Sequence, residues 1–114
     1  MADTIFGKIA KGEIPTEFVY EDEHVVAFRD LSPQAPTHIL LIPRKAIPSL
    51  DHLREDDAVL VGRLLLAAAK VARQEGISED GYRAVINCNA AGGQTVYHLH
   101  VHLLGGRPMR WPPG

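Results

Sequence analysis

The segment His98–His102 reads His-Leu-His-Val-His, and this alternation limits the fold more than any other feature of the chain. Successive side chains of a β-strand point to opposite faces, so a period of two predicts a last strand over residues 95–104. The three imidazole rings then share one face, while Leu99, Val101 and Leu103 share the other and belong in a core. A row of ionisable rings is costly to bury without partners. We therefore expect the imidazole face to line a cleft.

A long amphipathic helix is predicted over residues 54–75, because apolar side chains recur there at the spacing of one helix face. Those side chains are Leu60, Val61, Leu64, Leu65, Ala68, Val71 and Ala72. We expect this stripe to pack against the core and Gly76 to end the helix. A shorter helix is predicted near the N-terminus, where Asp3 is the expected cap and Gly12 the expected end.

Four further strands complete the predicted fold, each bounded by turn residues or proline. They span residues 18–21, 25–29, 38–43 and 82–88, the first two forming a hairpin and the third lying in the centre. Residues 89–93 are expected to form a loop. The fold class is therefore α+β, an antiparallel five-stranded sheet with one long helix and one short N-terminal helix. The length suits a single domain over residues 1–114.

Composition narrows the class of partner. The formal net charge is -2, so no general positive field holds a polyanion, and we expect no nucleic-acid partner. No apolar run is long enough to span a bilayer and the N-terminus lacks a signal-peptide pattern, so we expect no membrane partner. Cys88 is the single cysteine, which excludes an intrachain disulfide and suits a reducing compartment. Together these features predict a cytoplasmic protein.

The histidine row predicts chemistry at phosphorus. Imidazole titrates near about pH 6.5 in free peptides, so neutral and protonated rings are both accessible at cellular pH. A neutral ring is a nucleophile, and a protonated neighbour holds an anion or gives a proton to a leaving group. His100, the central ring, is the predicted nucleophile.

Two other interpretations of the row stay open. Histidines two residues apart on a strand bind zinc together, but His98 and His102 lie roughly 13 Å apart along a strand. A zinc site therefore needs a ligand from elsewhere, and Cys88 is not obviously placed to supply it. The second alternative is a hydrogen-bonded network of purely structural histidines. We expect no metal and no other cofactor.

Residues outside the row add candidate contacts to a phosphate or a sugar. Gly92 and Gly93 let backbone amides approach a phosphate closely, although such a pair also makes an ordinary turn. The hydroxyl of Thr95 adds a donor. The carboxylate of Asp30 either accepts hydrogen bonds from vicinal ribose hydroxyls or caps a turn. The amide of Asn87 either contacts a phosphate oxygen or closes a strand end.

With these residues in place, the chain resembles the histidine triad (HIT) family along essentially its whole length. Within that family it is most similar to the branch of histidine triad nucleotide-binding proteins (HINT). The resemblance rests on residues 98–104, residues 30–38, residues 92–97 and the tail over residues 105–114. It implies purine nucleoside phosphoramidase activity and a homodimer in which two sheets join across a two-fold axis.

The resemblance also implies roles for individual residues. His100 attacks the α-phosphorus of an AMP or GMP conjugate, and water then releases the nucleoside monophosphate from a nucleotidyl-histidine intermediate. His102 assists at the phosphate and the leaving amine, while His98 and His38 orient the row. Asp30 holds the ribose hydroxyls. The other implied substrate-binding residues are Phe28, Leu31, Asn87, Gly93, Gln94, Thr95 and, reaching across the dimer, Trp111.

Two departures leave the leaving-group preference open. Thr95 stands where HINT members often have serine, and residues 89–91 lack the acidic residue expected from animal members. The alternatives to a phosphoramidase are a dinucleoside polyphosphate hydrolase of another HIT branch, a nucleotide-binding regulatory module and a zinc-binding module.

Overall fold

The computed structural model describes residues 3–114, which build an antiparallel sheet of five strands. The strands are β1 (Tyr20–Glu21), β2 (Val25–Arg29), β3 (Thr37–Pro43), β4 (Tyr82–Val85) and β5 (Val101–Gly105). Their order across the sheet is β1-β2-β3-β5-β4, so β3 is central, and β1 and β2 form the predicted hairpin. The predicted α+β class is confirmed. The joining of two sheets in a dimer stays a prediction.

Three helices accompany the sheet: α1 (Ile5–Ala10), α2 (Ala58–Gln74) and α3 (Asn89–Gly92). The long helix is shorter than predicted because its first turn, Glu55–Asp57, is 3₁₀ helix. There the Asp57 carboxylate accepts a hydrogen bond from the backbone N–H of Arg54. Gly76, with a φ of 74°, ends α2 as predicted. No helix within residues 3–114 is long and apolar enough to cross a membrane.

Two local predictions are wrong. Thr4, not Asp3, caps α1, because its hydroxyl accepts the N–H of Gly7 at 3.0 Å, while Asp3 pairs with Lys11. The expected loop over residues 89–93 contains the single helical turn α3, which ends at Gly93 in the left-handed region.

The last two strands are also shorter than predicted, since β4 ends at Val85 and β5 begins at Val101. The intervening backbone is held by hydrogen bonds other than a strand ladder. The side chain of Gln94 accepts from the N–H of Asn89 and donates to the carbonyls of Pro48 and Val96. Residues 95–100 lie outside the strand ladder, and His98 points away from the other two histidines.

Both faces of the sheet carry apolar side chains. On one face, α2 covers a core that includes Leu99, Val101 and Leu103, as the alternation predicted. On the other face, alternate residues of β2 and β3 form a smaller cluster with Ile9 and Ala10 of α1. The members of this smaller cluster are Ile9, Ala10, Val26, Phe28, Leu40 and Ile42. Of the described helices, the short α1 covers the histidine side of the sheet together with the segment that follows it, and a cavity lies between them and the histidines.

The apolar stripe of α2 is confirmed in its centre and wrong at one flank. Leu64 is 1% exposed and lies in the core, whereas Leu65 is 48% exposed. Leu65 lies about 100° further round the helix axis than Leu64 and falls on the outer edge of the stripe.

We expect Leu64→Ala to lower the free energy of unfolding by about 2–4 kcal/mol, because it leaves a cavity under α2. Leu65→Ala, the matched control on the same helix, is expected to cost less than about 1 kcal/mol. Urea denaturation of both variants measures the difference. Equal losses in the two variants would contradict this packing.

Candidate active site

A cavity of about 630 Å³ opens on the sheet face that carries α1. One part of its wall is apolar and includes Ile5, Phe6, Ile9, Phe28, Leu31 and Leu40. The other part is polar and includes Asp30, Asn87, Thr95, His100 and His102. The cavity thus joins an apolar recess to a cluster of hydrogen-bonding groups.

His98 does not share the cavity with the other two histidines of the row. Its ring is 2% exposed, and its Nε2–H donates to the carbonyl oxygen of Pro43 at 2.7 Å. The prediction of three imidazoles on one face is therefore wrong, because the chain before Val101 is not part of the strand ladder. His98 instead contributes a backbone atom to the site.

That backbone atom sets the protonation of His100. The carbonyl oxygen of His98 lies 2.7 Å from Nδ1 of His100, and a carbonyl only accepts. The ring proton of neutral His100 therefore sits on Nδ1, and Nε2 keeps its lone pair. Phe6 packs edge-on against this ring, with ring centroids 5.0 Å apart. The geometry gives His100 the form that a nucleophile requires.

A second chain of hydrogen bonds sets the proton of His102. The backbone N–H of Gln34 donates to Nδ1 of His38 at 3.0 Å, so the proton of neutral His38 sits on Nε2. Nε2 of His38 lies 2.9 Å from Nδ1 of His102 and donates to it. The remaining proton of His102 is then on Nε2. His102, which lines the cavity, offers a hydrogen-bond donor there.

Burial keeps the row uncharged. Loss of hydration lowers the pKa of His98 and of His100 below its ordinary value. Burial, together with the charges of His100 and His38, lowers the pKa of His102 to about 4. The protonated neighbour expected from the sequence is therefore replaced by a neutral one: His102 acts as a hydrogen-bond donor at neutral pH.

Asp30 caps a turn, one of the two roles that the sequence left open, and it also lies in the cavity wall. Its Oδ1 accepts the N–H of Ser32 at 2.7 Å, which caps the turn after β2. Its Oδ2 lies 3.4 Å from Nε2 of His38, and the residue lines the cavity. Asp30 therefore lies in the cavity wall and also close to the hydrogen-bonded pair His38 and His102.

Only some of the residues predicted to contact the phosphate line the cavity. Asn87, Gly93 and Thr95 line the wall. The N–H of Gly93 already donates to the carbonyl of Ala90, so it is not the free amide that the sequence suggested. Gln94 is buried away from the wall, and its side chain is used by the backbone hydrogen bonds described above. The side chains of Asn87 and Thr95 offer hydrogen-bond donors on this wall.

Trp111 lies outside the cavity of its own chain. Its side chain is 82% exposed, with the guanidinium of Arg83 5.8 Å from the ring centroid. Phe28 and Leu31, in contrast, line the cavity beside Asp30.

Sequence reasoning missed two kinds of contributor. The apolar side chains Ile5, Phe6 and Ile9 form part of the cavity wall, but the sequence indicated only that a short helix lies there. The amides of Gln34 and Ser32 direct the polar groups, and a backbone N–H has no side-chain signature.

One group of side chains resembles a metal site at first sight. Donor atoms of Asp30, His38 and His102 all lie within 4.8 Å of one another. A metal ion on Nε2 of His38 would require the ring proton to move to Nδ1, where the N–H of Gln34 already points at the ring. Two N–H groups would then face each other, so the donor set fits a shared proton better than a zinc ion.

An α+β fold in which three alternating histidines run into a strand in the interior of the sheet defines the histidine triad class: His98 and His100 precede β5, and His102 lies within it. The HIT domain pattern matches residues 11–109, and the chain belongs to the HIT family. It is 56% identical over 107 residues to the purine nucleoside phosphoramidase of Escherichia coli, covering 94% of this chain and 90% of that protein. It is 58% identical over 113 residues to the 14 kDa zinc-binding protein of Zea mays, covering 97% and 88% of the two chains.

The fold matches a solved HIT family hydrolase from Legionella pneumophila with a TM-score of 0.95 and 54% identity. The match covers 98% of this chain and 100% of that one. The resemblance to the histidine triad family inferred from the sequence is therefore confirmed.

The lowered pKa of His102 predicts a pH dependence of stability. An unfolded histidine titrates near about pH 6.5, so the unfolded chain binds more protons than the folded chain between that pH and pH 4. The contribution of His102 to the free energy of unfolding is therefore fully present above about pH 7. It is lost as the pH decreases toward 4, and the loss amounts to up to about 3 kcal/mol. Denaturation of wild type and His102→Gln at several pH values measures it, since the variant is expected to show a shallower decline.

His24→Gln is the matched control, because His24 is a surface residue outside the cavity. It is expected to keep the pH dependence of wild type. An unchanged decline in His102→Gln would mean that burial of this ring does not govern the acid sensitivity.

Proposed function

We propose that this protein is a purine nucleoside phosphoramidase that hydrolyses the P–N bond of nucleoside 5′-phosphoramidates. The observation that carries the proposal is the state of His100, whose Nδ1–H is held by a carbonyl while Nε2 is left with a lone pair beside the cavity. The identity with the E. coli phosphoramidase supports the same reaction. The HIT hydrolase from Legionella supports hydrolysis in general.

The reaction proceeds in two steps. Nε2 of His100 forms a bond to the α-phosphorus as the P–N bond breaks, and the departing nitrogen takes one proton from solvent to leave as an amine. Water then attacks phosphorus, releases its proton to solvent and breaks the His100–phosphorus bond. The products are the nucleoside monophosphate and the regenerated neutral imidazole, so one water molecule is consumed in total.

The other residues would stabilise charge and hold the substrate. His102, a neutral donor, hydrogen-bonds a phosphoryl oxygen as negative charge develops there. The side chains of Asn87 and Thr95 offer further donors. Asp30 accepts ribose hydroxyls through Oδ2, since Oδ1 is already used. The apolar recess beside Phe28 and Leu31 suits the flat purine ring.

The name of the maize relative raises metal binding as a second possibility for this site. The tautomer that Gln34 imposes on His38 argues against it. We therefore route no step of the proposed reaction through a metal ion.

We expect His100→Asn to lower turnover of an adenosine 5′-phosphoramidate by about 10³-fold or more, because the covalent step loses its nucleophile. Mass spectrometry after a brief mix of wild type with substrate is expected to find a nucleotidyl adduct on His100. His24→Asn is the control and is expected to keep wild-type turnover. Retained activity in His100→Asn with an intact fold would end the proposal.

A comparison of rates on the phosphoramidate and on a diadenosine polyphosphate separates this activity from a polyphosphate hydrolase. Tight nucleotide binding without any adduct would instead support a regulatory module.

We also propose that two copies pair through β4. This strand is an edge of the sheet, and an unpaired edge is a template for another strand. A second hollow of about 670 Å³ lies beside it, lined in part by Tyr82, Arg83, Arg107 and Met109. Exposed Trp111 stacks beside Arg83 and would extend the contact.

We expect light scattering to report about twice the chain mass of 12.5 kDa. Trp111→Glu is expected to raise the dissociation constant by about tenfold or more, because it places a charge in an apolar contact. Leu31→Glu, at a fully exposed apolar residue beside the cavity, is the control and is expected to leave the dimer intact. A wild type that stays monomeric at all concentrations would exclude this pairing.

A further inference from the structure

The single ring proton of His38 lies between two acceptors. Nε2 of His38 is 2.9 Å from Nδ1 of His102 and 3.4 Å from Oδ2 of Asp30. The amide of Gln34 occupies Nδ1, so His38 has no second proton with which to satisfy both. The N–H makes its hydrogen bond to His102, and the nearby carboxylate of Asp30 competes for it electrostatically.

The competition is strong because the groups are enclosed. The side chain of His38 is 4% exposed and that of Asp30 is 21% exposed. Hydrogen bonds in such surroundings are stronger than in water, and a charged acceptor attracts a donor more strongly than a neutral one. We therefore expect the carboxylate to weaken the hydrogen bond that His102 receives in the free protein, although Oδ2 of Asp30 lies farther from Nε2 of His38 than Nδ1 of His102 does.

We propose that Asp30 couples recognition of the sugar to the catalytic row. Ribose hydroxyls that donate to Oδ2 of Asp30 neutralise part of its pull, and a small tilt of the His38 ring then aligns its N–H better with Nδ1 of His102. This inference rests on the proposed function, because it takes a ribonucleotide as the substrate. Asp30 is then a positioning residue for His102 as well as a contact to the sugar.

The consequence is an effect on the chemical step. A ring that accepts a stronger hydrogen bond at Nδ1 donates a stronger one from Nε2, because neighbouring hydrogen bonds polarise each other. His102 would then stabilise the charge on the phosphoryl oxygen better when the ribose is bound. Ribose hydroxyls are therefore expected to raise kcat, whereas a sugar that is merely anchored would change only KM.

Steady-state kinetics on two substrates tests this coupling. The substrates are an adenosine 5′-phosphoramidate and its 2′,3′-dideoxy counterpart, which lacks both hydroxyls but keeps the base and the phosphorus. In wild type we expect the dideoxy substrate to lower kcat by about tenfold, the rate equivalent of one hydrogen bond. In His38→Gln we expect the two kcat values to agree within about twofold, while the KM difference persists.

His38→Gln is informative because its amide carries two protons, which ends the competition between the two acceptors. An equal kcat ratio in wild type and in this variant would overturn the coupling and leave Asp30 as a simple anchor. Failure of wild type to hydrolyse the ribose substrate would instead overturn the proposed function, so the two failures are distinguishable.

Nuclear magnetic resonance of the imidazole nitrogens gives a measurement that does not depend on the variant folding. Saturating adenosine 5′-monophosphate is expected to shift the Nδ1 resonance of His102 in wild type toward that of a stronger hydrogen bond. Saturating 2′,3′-dideoxyadenosine 5′-monophosphate, which presents the same phosphate, is expected to leave it near the free value. Equal shifts with both nucleotides would overturn the proposal. In Asp30→Asn, we expect the two nucleotides to give the same shift of the Nδ1 resonance of His102.

Discussion

The carbonyl oxygen of His98 accepts the Nδ1 proton of His100 at 2.7 Å, and the chemistry of the cavity depends on that bond. A neutral imidazole has one proton and one lone pair, so an acceptor at one nitrogen leaves the lone pair at the other. The same logic, started by the amide of Gln34, runs through His38 to His102 and ends in a donor. Two neighbouring imidazoles thereby acquire opposite hydrogen-bonding roles.

The division of the sheet into two unequal faces makes this arrangement possible. The face covered by α2 holds the larger core, with Leu99, Val101 and Leu103 among its members. The face covered by α1 has fewer apolar neighbours, and the short helix leaves the cavity between itself and the histidines. Burial by Phe6 and its neighbours is also what keeps the imidazoles neutral, because removal of water disfavours the charged ring.

The neutral state of the imidazole rings decides which chemistry the site can support. A row of imidazolium ions would attract a phosphate but would lack a nucleophile at neutral pH. The low pKa of His102 leaves it as a donor, and stabilisation of charge then depends on directed hydrogen bonds. Asp30 supplies a carboxylate beside His38 and His102, and its place in the cavity wall makes it a link between ligand and histidines.

The sequence by itself determined the α+β class, the apolar face of the last strand and the identity of the histidines, because these follow from periodicity and side-chain type. The cavity residues Asp30, Asn87 and Thr95 could also be named from the chemistry of their side chains. Only the tertiary structure decided that His98 turns away while its carbonyl serves His100, since this depends on where the strand ladder begins. It also decided the proton positions, because they are set by backbone amides and carbonyls that every residue carries and no sequence pattern marks.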